Sequence, residues 1–370
     1  MAVDPLFTPF RCKTLEVRNR IVMAPMTRSF SPQGIPTAEV ATYYRRRAEG
    51  GVGMIITEGT AVERSGAVDS DHIPRFHGEE PLAGWKRVVD EVNAAGGRIV
   101  PQLWHIGAAP RAAHHVGDIP GESESPSGRF SATVDHGRAM SDEDIADTIA
   151  AFATASAAAK ALGFSAIQFH GAHGYLFDQF FWEICNVRDD LWGGPDLAAR
   201  SRFAIEAVRA TRKAVGPDFP IMLRISQWKQ QDYGVKLAEG PAELERWLSP
   251  LAEAGVDIFD CSQRRFWVPE FEGSDLNLAG WVKKVTGCPT ITVGSVGLAT
   301  EFLSTHSDRS VIKADVARMD DLVRRLERGD FDLVAVGRAL LADPEWPGKL
   351  RDGRADQLKD YSIAHREHLH

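Results

Sequence analysis

The chain has 370 residues, of which 44% are hydrophobic and 25% are charged, as in an ordinary globular protein with a large core. Its formal net charge is −8 at pH 7, which gives no electrostatic support to a role on nucleic acid or on anionic membranes. The opening MAVDPLFTPF lacks the basic and apolar regions of a secretory signal, and no apolar run looks long enough to cross a bilayer. We therefore expect a cytoplasmic protein.

Short apolar runs rich in β-branched residues recur along the chain. After a segment at 6–19 that reads as a hairpin, they are found at 20–25 (RIVMAP), 53–59, 98–104, 165–170, 220–226, 256–262, 289–295 and 332–338. Nearly continuous apolar runs of this length are typical of parallel strands that are covered on both faces.

Segments with helical periodicity separate these runs. They lie at 81–97, 141–164, 195–216 and 240–255, and we expect Pro250 to kink or break the last of them. The helix at 141–164 opens with Ser141 and Asp144, which resemble a capping box.

Eight strands that alternate with helices predict an α/β fold, a (β/α)8 TIM barrel that forms one domain over residues 1–370. An open doubly wound sheet is the alternative, but the chain has no strand–GxGxxG–helix unit. The 6–19 hairpin should close the bottom of the barrel. The long segment 107–140 after the third strand should act as a lid or binding loop, in which His114 and His115 are expected to be solvated.

Polar residues collect at the carboxyl ends of the predicted strands, where barrel enzymes build their active sites. The fourth strand runs into HGAHGY, which places His170, His173 and Tyr175 together, and Trp104 ends the third strand. A zinc site is a less favoured interpretation. His170, His173 and the nearby Glu183 could supply ligands, but the sequence has no HxH or HExxH motif to accompany them, so we predict no metal.

The last two strands end in VGSVG and VGRAL. Gly294 and Gly337 allow the backbone to approach an anion closely, and Arg338 offers a bidentate guanidinium, so these loops predict a phosphate site. Tight turns beside a surface arginine are the alternative. The four cysteines, Cys12, Cys185, Cys261 and Cys288, are too widely spaced for a zinc or iron–sulfur motif and are expected to be buried free thiols.

The chain resembles the old yellow enzyme family of FMN-dependent ene reductases over nearly its whole length. The matching stretches are NRIVMAPMTR (19–28), YYRRRAEGGVGMIITEGT (43–60), GWKRVVDEVNAAGGRIVPQLWHIG (84–107), HGAHGYLFDQF (170–180), NVRDDLWGG (186–194), RIS (224–226), TVGSVG (292–297) and VGRALLADPEW (336–346). Their order and spacing make the resemblance specific.

The resemblance implies non-covalent FMN and either NADPH or NADH as the reductant. Residues implied to hold FMN are Pro25, Met26, Thr27, Gly59, Gln102, His170, Arg224, Gly294, Ser295, Gly337 and Arg338. His170 and His173 would bind the carbonyl oxygen of the substrate, Tyr175 would donate a proton, and Trp104 would line the pocket. Tyr361 is a loosely aligned candidate for an aromatic contact with the flavin.

The implied activity is hydride transfer from FMN to the β-carbon of an α,β-unsaturated carbonyl or related activated alkene. A physiological dehydrogenation or biosynthetic tailoring step, and a non-catalytic flavin-binding barrel, are the alternatives. The expected partners are therefore a small alkene and a nicotinamide, with neither nucleic acid nor membrane. The oligomeric state stays open, with a homodimer among the options.

Overall fold

A closed barrel of parallel strands forms the centre of the computed structural model, which describes residues 3–110, 121–299 and 311–370. Within these residues its strands are β3 (Ile21–Met23), β4 (Met54–Ala61), β5 (Arg98–Trp104), β8 (Ile167–His173), β9 (Ile221–Lys229), β10 (Ile258–Ser262), β11 (Thr290–Val293) and β12 (Leu333–Val336). Each strand pairs with the next, and β12 pairs with β3 to close the ring. The predicted (β/α)8 barrel is confirmed.

Helices connect these strands and cover the barrel. They are α1 (Ala38–Glu49), α2 (Glu79–Ala94), α3 (Asp142–Leu162), α4 (Leu176–Phe181), α5 (Leu197–Arg200), α6 (Arg202–Val215), α7 (Pro241–Ala254), α8 (Leu278–Thr286), α9 (Met319–Arg328), α10 (Arg338–Ala342) and α11 (Trp346–Arg351). Short 3-10 turns occupy Asp4–Phe7, Pro32–Gly34, Ala355–Gln357 and Ile363–Arg366.

The predicted N-terminal hairpin is present as β1 (Phe10–Cys12) and β2 (Leu15–Val17), which pair antiparallel. Its Phe10, Leu15 and Val17 belong to one buried cluster with inward-facing strand residues such as Met54 and Met222. The N–H and hydroxyl of Thr14 both donate to the carbonyl of Asp218, just before β9 begins. The hairpin therefore closes the barrel at the amino ends of the strands and leaves the opposite end for the site.

Two helix predictions need correction. The segment 195–216 forms two helices, because the hydroxyl of Ser201 donates to the carbonyl of Leu197 at 2.7 Å and competes with the backbone pattern there. Pro250 was expected to kink or break α7, and the helix is not broken but continues through it to Ala254. The carbonyl that loses its partner belongs to Arg246, an exposed residue at which water can replace the missing bond.

The helix α3 begins with the predicted capping box between Ser141 and Asp144. By length and composition alone it could cross a membrane, so the expectation that no run is long enough was wrong on that criterion. Ile145, Phe152 and Ala159 on one side of it are fully buried in the core of the barrel. One helix of this kind is weak evidence for a membrane span, because the core helix of a soluble protein passes the same test.

The long segment after β5 is attached to the barrel by a charged network. Its two-residue strands β6 (Glu124–Ser125) and β7 (Arg138–Ala139) pair in parallel. The carboxylate of Glu124, which is fully buried, accepts hydrogen bonds from Arg64 at 2.9 and 2.8 Å and from Arg138 at 2.8 Å. His114 and His115 lie outside the described residues.

Candidate active site

A chain of hydrogen-bonded polar side chains crosses the upper part of the barrel. Gln102 Nε2 donates to Gln168 Oε1 at 2.7 Å, and Gln168 Nε2 donates to Asp260 Oδ2 at 3.0 Å. Arg224 Nη1 donates to the same oxygen of Asp260 at 2.5 Å. Because all four side chains are buried, the network holds Gln102 and Arg224 in fixed positions.

Next to this network, the structure brings together the four residues predicted to bind the substrate. The ring centroids of His170 and His173 lie 5.2 Å apart with the rings nearly perpendicular. The Tyr175 ring lies 5.0 Å from the His170 ring and also 5.0 Å from Trp104. Two imidazoles, a phenol and an indole therefore form one compact cluster at the carboxyl ends of β5 and β8.

Burial sets the ionisation of this cluster. Loss of hydration, followed by the nearby Arg224 guanidinium, places the pKa of His170 well below its ordinary value. The pKa of His173 is also well below normal, because of burial first and then His170, Arg224 and Lys229. Burial raises the pKa of Tyr175 to about 12. Near pH 7 both imidazoles are neutral, and the phenol keeps its proton.

The turn that carries His173 and Tyr175 has an unusual backbone. His173 has φ of 66° and Gly174 has φ of 83°, values in the left-handed region that an L-residue such as histidine rarely adopts. The N–H of Gly174 donates to Asp178 Oδ2 at 2.7 Å, and Asp178 Oδ1 accepts from Lys229 Nζ at 2.6 Å. Gln179 Nε2 donates to the Gly174 carbonyl at 2.7 Å, so both sides of the turn are held.

The residues after β3 meet those after β12 at the other side of the barrel mouth. Pro25 and Met26 are half-buried and Thr27 is exposed. A Cβ added at Gly337 would lie 3.6 Å from Met26 Sδ, which shows how closely the two loops approach. The Arg338 guanidinium lies 5.8 Å from the ring centroid of the buried Tyr361.

The loop after β11 has the close backbone approach expected of a phosphate site. Gly294 has φ of 145°, and a Cβ at this position would lie 2.7 Å from the carbonyl oxygen of Gln263. Ser295 has φ of 54°, and its hydroxyl donates to the carbonyl of Arg264 at 2.9 Å. The N–H groups of Ser295 and Gly337 have no hydrogen-bond partner in the described part of the chain. The backbone of Ser295, rather than its hydroxyl, is therefore free to bind an anion.

Comparison with known proteins gives the family. The model of the NADH:flavin oxidoreductase / NADH oxidase family matches residues 5–357. The chain belongs to this family. The old yellow enzyme resemblance seen in the motifs is thereby confirmed, and membership of this family implies FMN as the cofactor.

Curated relatives of this chain differ in length. A metal reductase of Desulforamulus reducens is 30% identical over 359 residues, which cover 96% of this chain and 50% of that protein. An NADPH dehydrogenase of Bacillus velezensis is 33% identical over 346 residues, which cover 92% of each. The chain thus spans about half the length of the first curated relatives that it matches.

A solved structure of morphinone reductase in complex with tetrahydroNAD has the same fold. It superposes on this protein with a TM-score of 0.78 at 25% identity, covering 98% of this chain and 93% of that one. The similarity in fold therefore extends over nearly the whole length of the chain.

The residues present fit FMN. Among the described residues, Arg224 Nε, His170 Nδ1 and Asp260 Oδ1 are buried without a hydrogen-bond partner, although orphaned buried polar atoms are rare in native proteins. They belong to or adjoin the Gln102–Arg224 network, so a polar planar group bound there would satisfy them. The backbone N–H groups of Ser295 and Gly337 lie in the two loops where barrels of this type bind phosphate.

Gly59 has a packing role that its sequence position did not indicate. A Cβ at this position would lie 2.4 Å from the ring of Trp104, which crosses directly over the backbone. The glycine therefore allows the indole to reach the pocket wall. Whether Gly59 also contacts FMN stays a prediction.

Sequence reasoning missed the residues that position the site. Gln168 and Asp260 join Gln102 to Arg224, while Asp178, Gln179 and Lys229 hold the turn of His173. One signal was available: Asp260 lies within an apolar strand run, where an ionised side chain requires a buried partner. The sequence did not reveal which partner it would find.

Glu58 holds the loop that carries Thr27. Its Oε2 accepts from the N–H of Arg28 at 2.8 Å and of Ser29 at 2.9 Å, while Oε1 is buried and has no hydrogen-bond partner in the part of the chain that the structure describes. Burial, partly offset by these two hydrogen bonds, raises the pKa of Glu58 from 4.5 to about 7.

This raised pKa predicts a pH-dependent stability. Between pH 4.5 and 7 the folded protein retains a proton that the unfolded chain has released, so the stabilisation is complete below pH 4.5 and is lost as pH rises to 7. At about 1.4 kcal/mol per pKa unit, Glu58 should lower the free energy of unfolding by up to about 3 kcal/mol across that range. Urea unfolding at several pH values should show that the free energy of unfolding declines less steeply with pH in Glu58→Gln than in wild type. Glu253→Gln, at an exposed position, serves as the control. Identical slopes for Glu58→Gln and wild type would contradict this.

Proposed function

We propose that this chain is an ene reductase that uses NADPH or NADH to reduce the C=C bond of α,β-unsaturated carbonyl compounds or similarly activated alkenes. The supporting observation is the cluster of neutral His170, neutral His173 and protonated Tyr175 at the barrel mouth. FMN, when bound, accepts a hydride from the nicotinamide and supplies it to the β-carbon of the alkene.

His170 and His173 bind the carbonyl oxygen of the substrate. As the β-carbon gains a hydride, negative charge develops on that oxygen, and a preorganised N–H donor stabilises the charge by about 2.7–4 kcal/mol. Burial favours this role, because a low-dielectric site strengthens such hydrogen bonds and keeps both imidazoles neutral.

Tyr175 protonates the α-carbon. Its pKa of about 12 keeps the phenol loaded with a proton throughout the neutral range, and its ring lies beside that of His170. Trp104 contacts the edge of the tyrosine ring and forms a wall of the pocket, together with Ala61, Val68 and Ile106 from the same apolar cluster.

The remaining predicted residues hold FMN. Gln102 would hydrogen-bond the pyrimidine edge of FMN and Arg224 would place a positive charge beside it, and the fixed positions of both side chains in the buried network support these roles. Pro25, Met26, Thr27 and Gly59 contact the ring system, together with His170. The loops with Gly294, Ser295, Gly337 and Arg338 bind the phosphate, supported by the N–H groups of Ser295 and Gly337, which have no hydrogen-bond partner among the described residues.

A two-step anaerobic assay tests the proposal. NADPH or NADH should bleach the visible absorbance of protein loaded with FMN, and cyclohex-2-enone should then restore it with formation of cyclohexanone. Cyclohexene is the matched control, because it has the same ring and C=C bond but no oxygen for the histidines to bind.

Two outcomes separate the alternatives. NAD(P)H could bleach the flavin while cyclic enones, maleimides, nitroalkenes and quinones all fail to restore the colour. In that case the ene reductase proposal is wrong, and the protein catalyses a different redox reaction. Failure of both nicotinamides to bleach it would favour a non-catalytic flavin-binding barrel.

A further inference from the structure

Ser262, the last residue of β10, lies between two residues of the site. Its Oγ lies 2.8 Å from His173 Nε2 and accepts a hydrogen bond from Arg224 Nη2 at 3.4 Å. The residue is only 4% exposed, so bulk water does not readily compete for these contacts. No role was assigned to Ser262 from the sequence.

The direction of the hydrogen bond between Ser262 and His173 follows from what surrounds the hydroxyl. Arg224 can only donate, so Ser262 Oγ accepts from it. If His173 Nε2 also donated to Oγ, the hydroxyl proton of Ser262 would have no acceptor within the described residues. A buried unpaired donor costs about 1–3 kcal/mol. The favoured arrangement therefore has the Ser262 hydroxyl donating to Nε2.

This direction determines where His173 carries its proton. A neutral imidazole has one protonated nitrogen and one acceptor nitrogen, and His173 is neutral near pH 7. Because Nε2 accepts, the proton is on Nδ1. Nδ1 makes no hydrogen bond to any of the described residues, so its N–H is available to a bound molecule.

Ser262 also fixes the orientation of the ring through Trp228. The indole N–H of Trp228 donates to the backbone carbonyl of Ser262 at 3.2 Å. The indole in turn stacks on the His173 imidazole, with ring centroids 4.5 Å apart and an angle of 28°. Ser262 therefore holds the imidazole in two ways. Its hydroxyl contacts the ring edge directly, and its carbonyl holds the Trp228 indole that covers the ring face.

We infer that Ser262 is a positioning residue that selects the Nδ1–H tautomer of His173 and so makes this imidazole a hydrogen-bond donor to the substrate. The inference rests on the proposed function in one respect, because it takes the substrate to be an activated alkene. The ligand class that matches is one with an acceptor oxygen, such as a carbonyl or nitro group. An ammonium group would meet a donor instead of an acceptor and would be rejected.

Nitrogen NMR of the FMN-loaded protein with 15N-labelled histidine rings tests the tautomer directly. Long-range proton–nitrogen correlation distinguishes protonated from unprotonated ring nitrogens, and His173→Asn identifies the resonances of His173. Wild type should show a protonated Nδ1 at neutral pH. Ser262→Ala should shift the population toward Nε2–H and lower kcat/KM for cyclohex-2-enone by about tenfold or more. Ser262→Thr, which keeps a hydroxyl, should restore both.

Ser226→Ala is the matched control, because Ser226 Oγ accepts from the backbone N–H of the same histidine at 3.0 Å and does not touch its ring. This variant should keep the Nδ1–H tautomer. A wild-type spectrum with Nε2–H, or an unchanged tautomer in Ser262→Ala, would overturn the inference. The wild-type spectrum decides even if a variant fails to fold. Because the tautomer is read without turnover, an inactive wild type would count only against the ene reductase proposal.

Discussion

Tyr175→Phe should lower enone turnover by about 10²–10⁴-fold, the usual contribution of a positioned general acid, while the flavin is still reduced by NAD(P)H. The substitution removes only the hydroxyl, and the ring can keep its edge contacts with Trp104 and His170. Anaerobic stopped-flow measurement of the two half-reactions separates the effects, since only reoxidation by cyclohex-2-enone requires the proton.

The matched control for Tyr175 is Tyr233→Phe. Tyr233 is also half-buried and stacked on an aromatic ring, with its centroid 5.3 Å from that of Trp228. The same loss of a hydroxyl there should change turnover little. Equal enone turnover in Tyr175→Phe and wild type would remove Tyr175 from the mechanism, and another donor would have to protonate the α-carbon.

Lys229→Met should lower the free energy of unfolding by about 3–5 kcal/mol, because it leaves the carboxylate of Asp178 buried without its partner. Both side chains of this pair are completely buried, with Nζ 2.6 Å from Oδ1. Burial raises the pKa of Asp178 and lowers that of Lys229, so each group depends on the other to remain charged. Urea unfolding followed by circular dichroism measures the loss.

Two further variants define the origin of this effect. Lys86→Met removes a lysine that is 49% exposed from its ion pair with Asp90, which is 59% exposed, so the same substitution should cost less than about 1 kcal/mol. Combining Lys229→Met with Asp178→Asn should recover part of the stability, since no buried charge remains and the amide oxygen can still accept from Gly174. A loss below 1 kcal/mol in Lys229→Met would show that the pair is not needed to hold the turn.

Much of the site was predictable because sequence neighbours remain neighbours in space. His170, His173 and Tyr175 lie within six positions at the end of one strand, so their clustering requires only that β8 ends there. The phosphate loops are also local, as each consists of a strand end and the glycine that follows it. The roles assigned to these residues remain proposals.

The residues that position the site could not be predicted in this way. Gln168 and Asp260 are 92 positions apart, and Asp178 and Lys229 are 51 positions apart. Their contacts depend on the lateral register of β8, β9 and β10, which the pattern of apolar residues does not specify. Ser262 looked like an ordinary strand-end serine, and only the neighbouring strands showed that it contacts His173.

The sequence by itself determined the barrel and its functional end, because buried parallel strands must be apolar throughout and the connecting helices must keep their own period. That periodicity depends only on residues that are close together in the chain, so it can be recognised from the sequence alone. The tertiary structure alone decided how the buried charges are paired, whether Pro250 breaks α7, and that Nε2 of His173 contacts Ser262. Each of these depends on a partner that is distant in the chain or on exposure to water. Both are determined only when the chain folds.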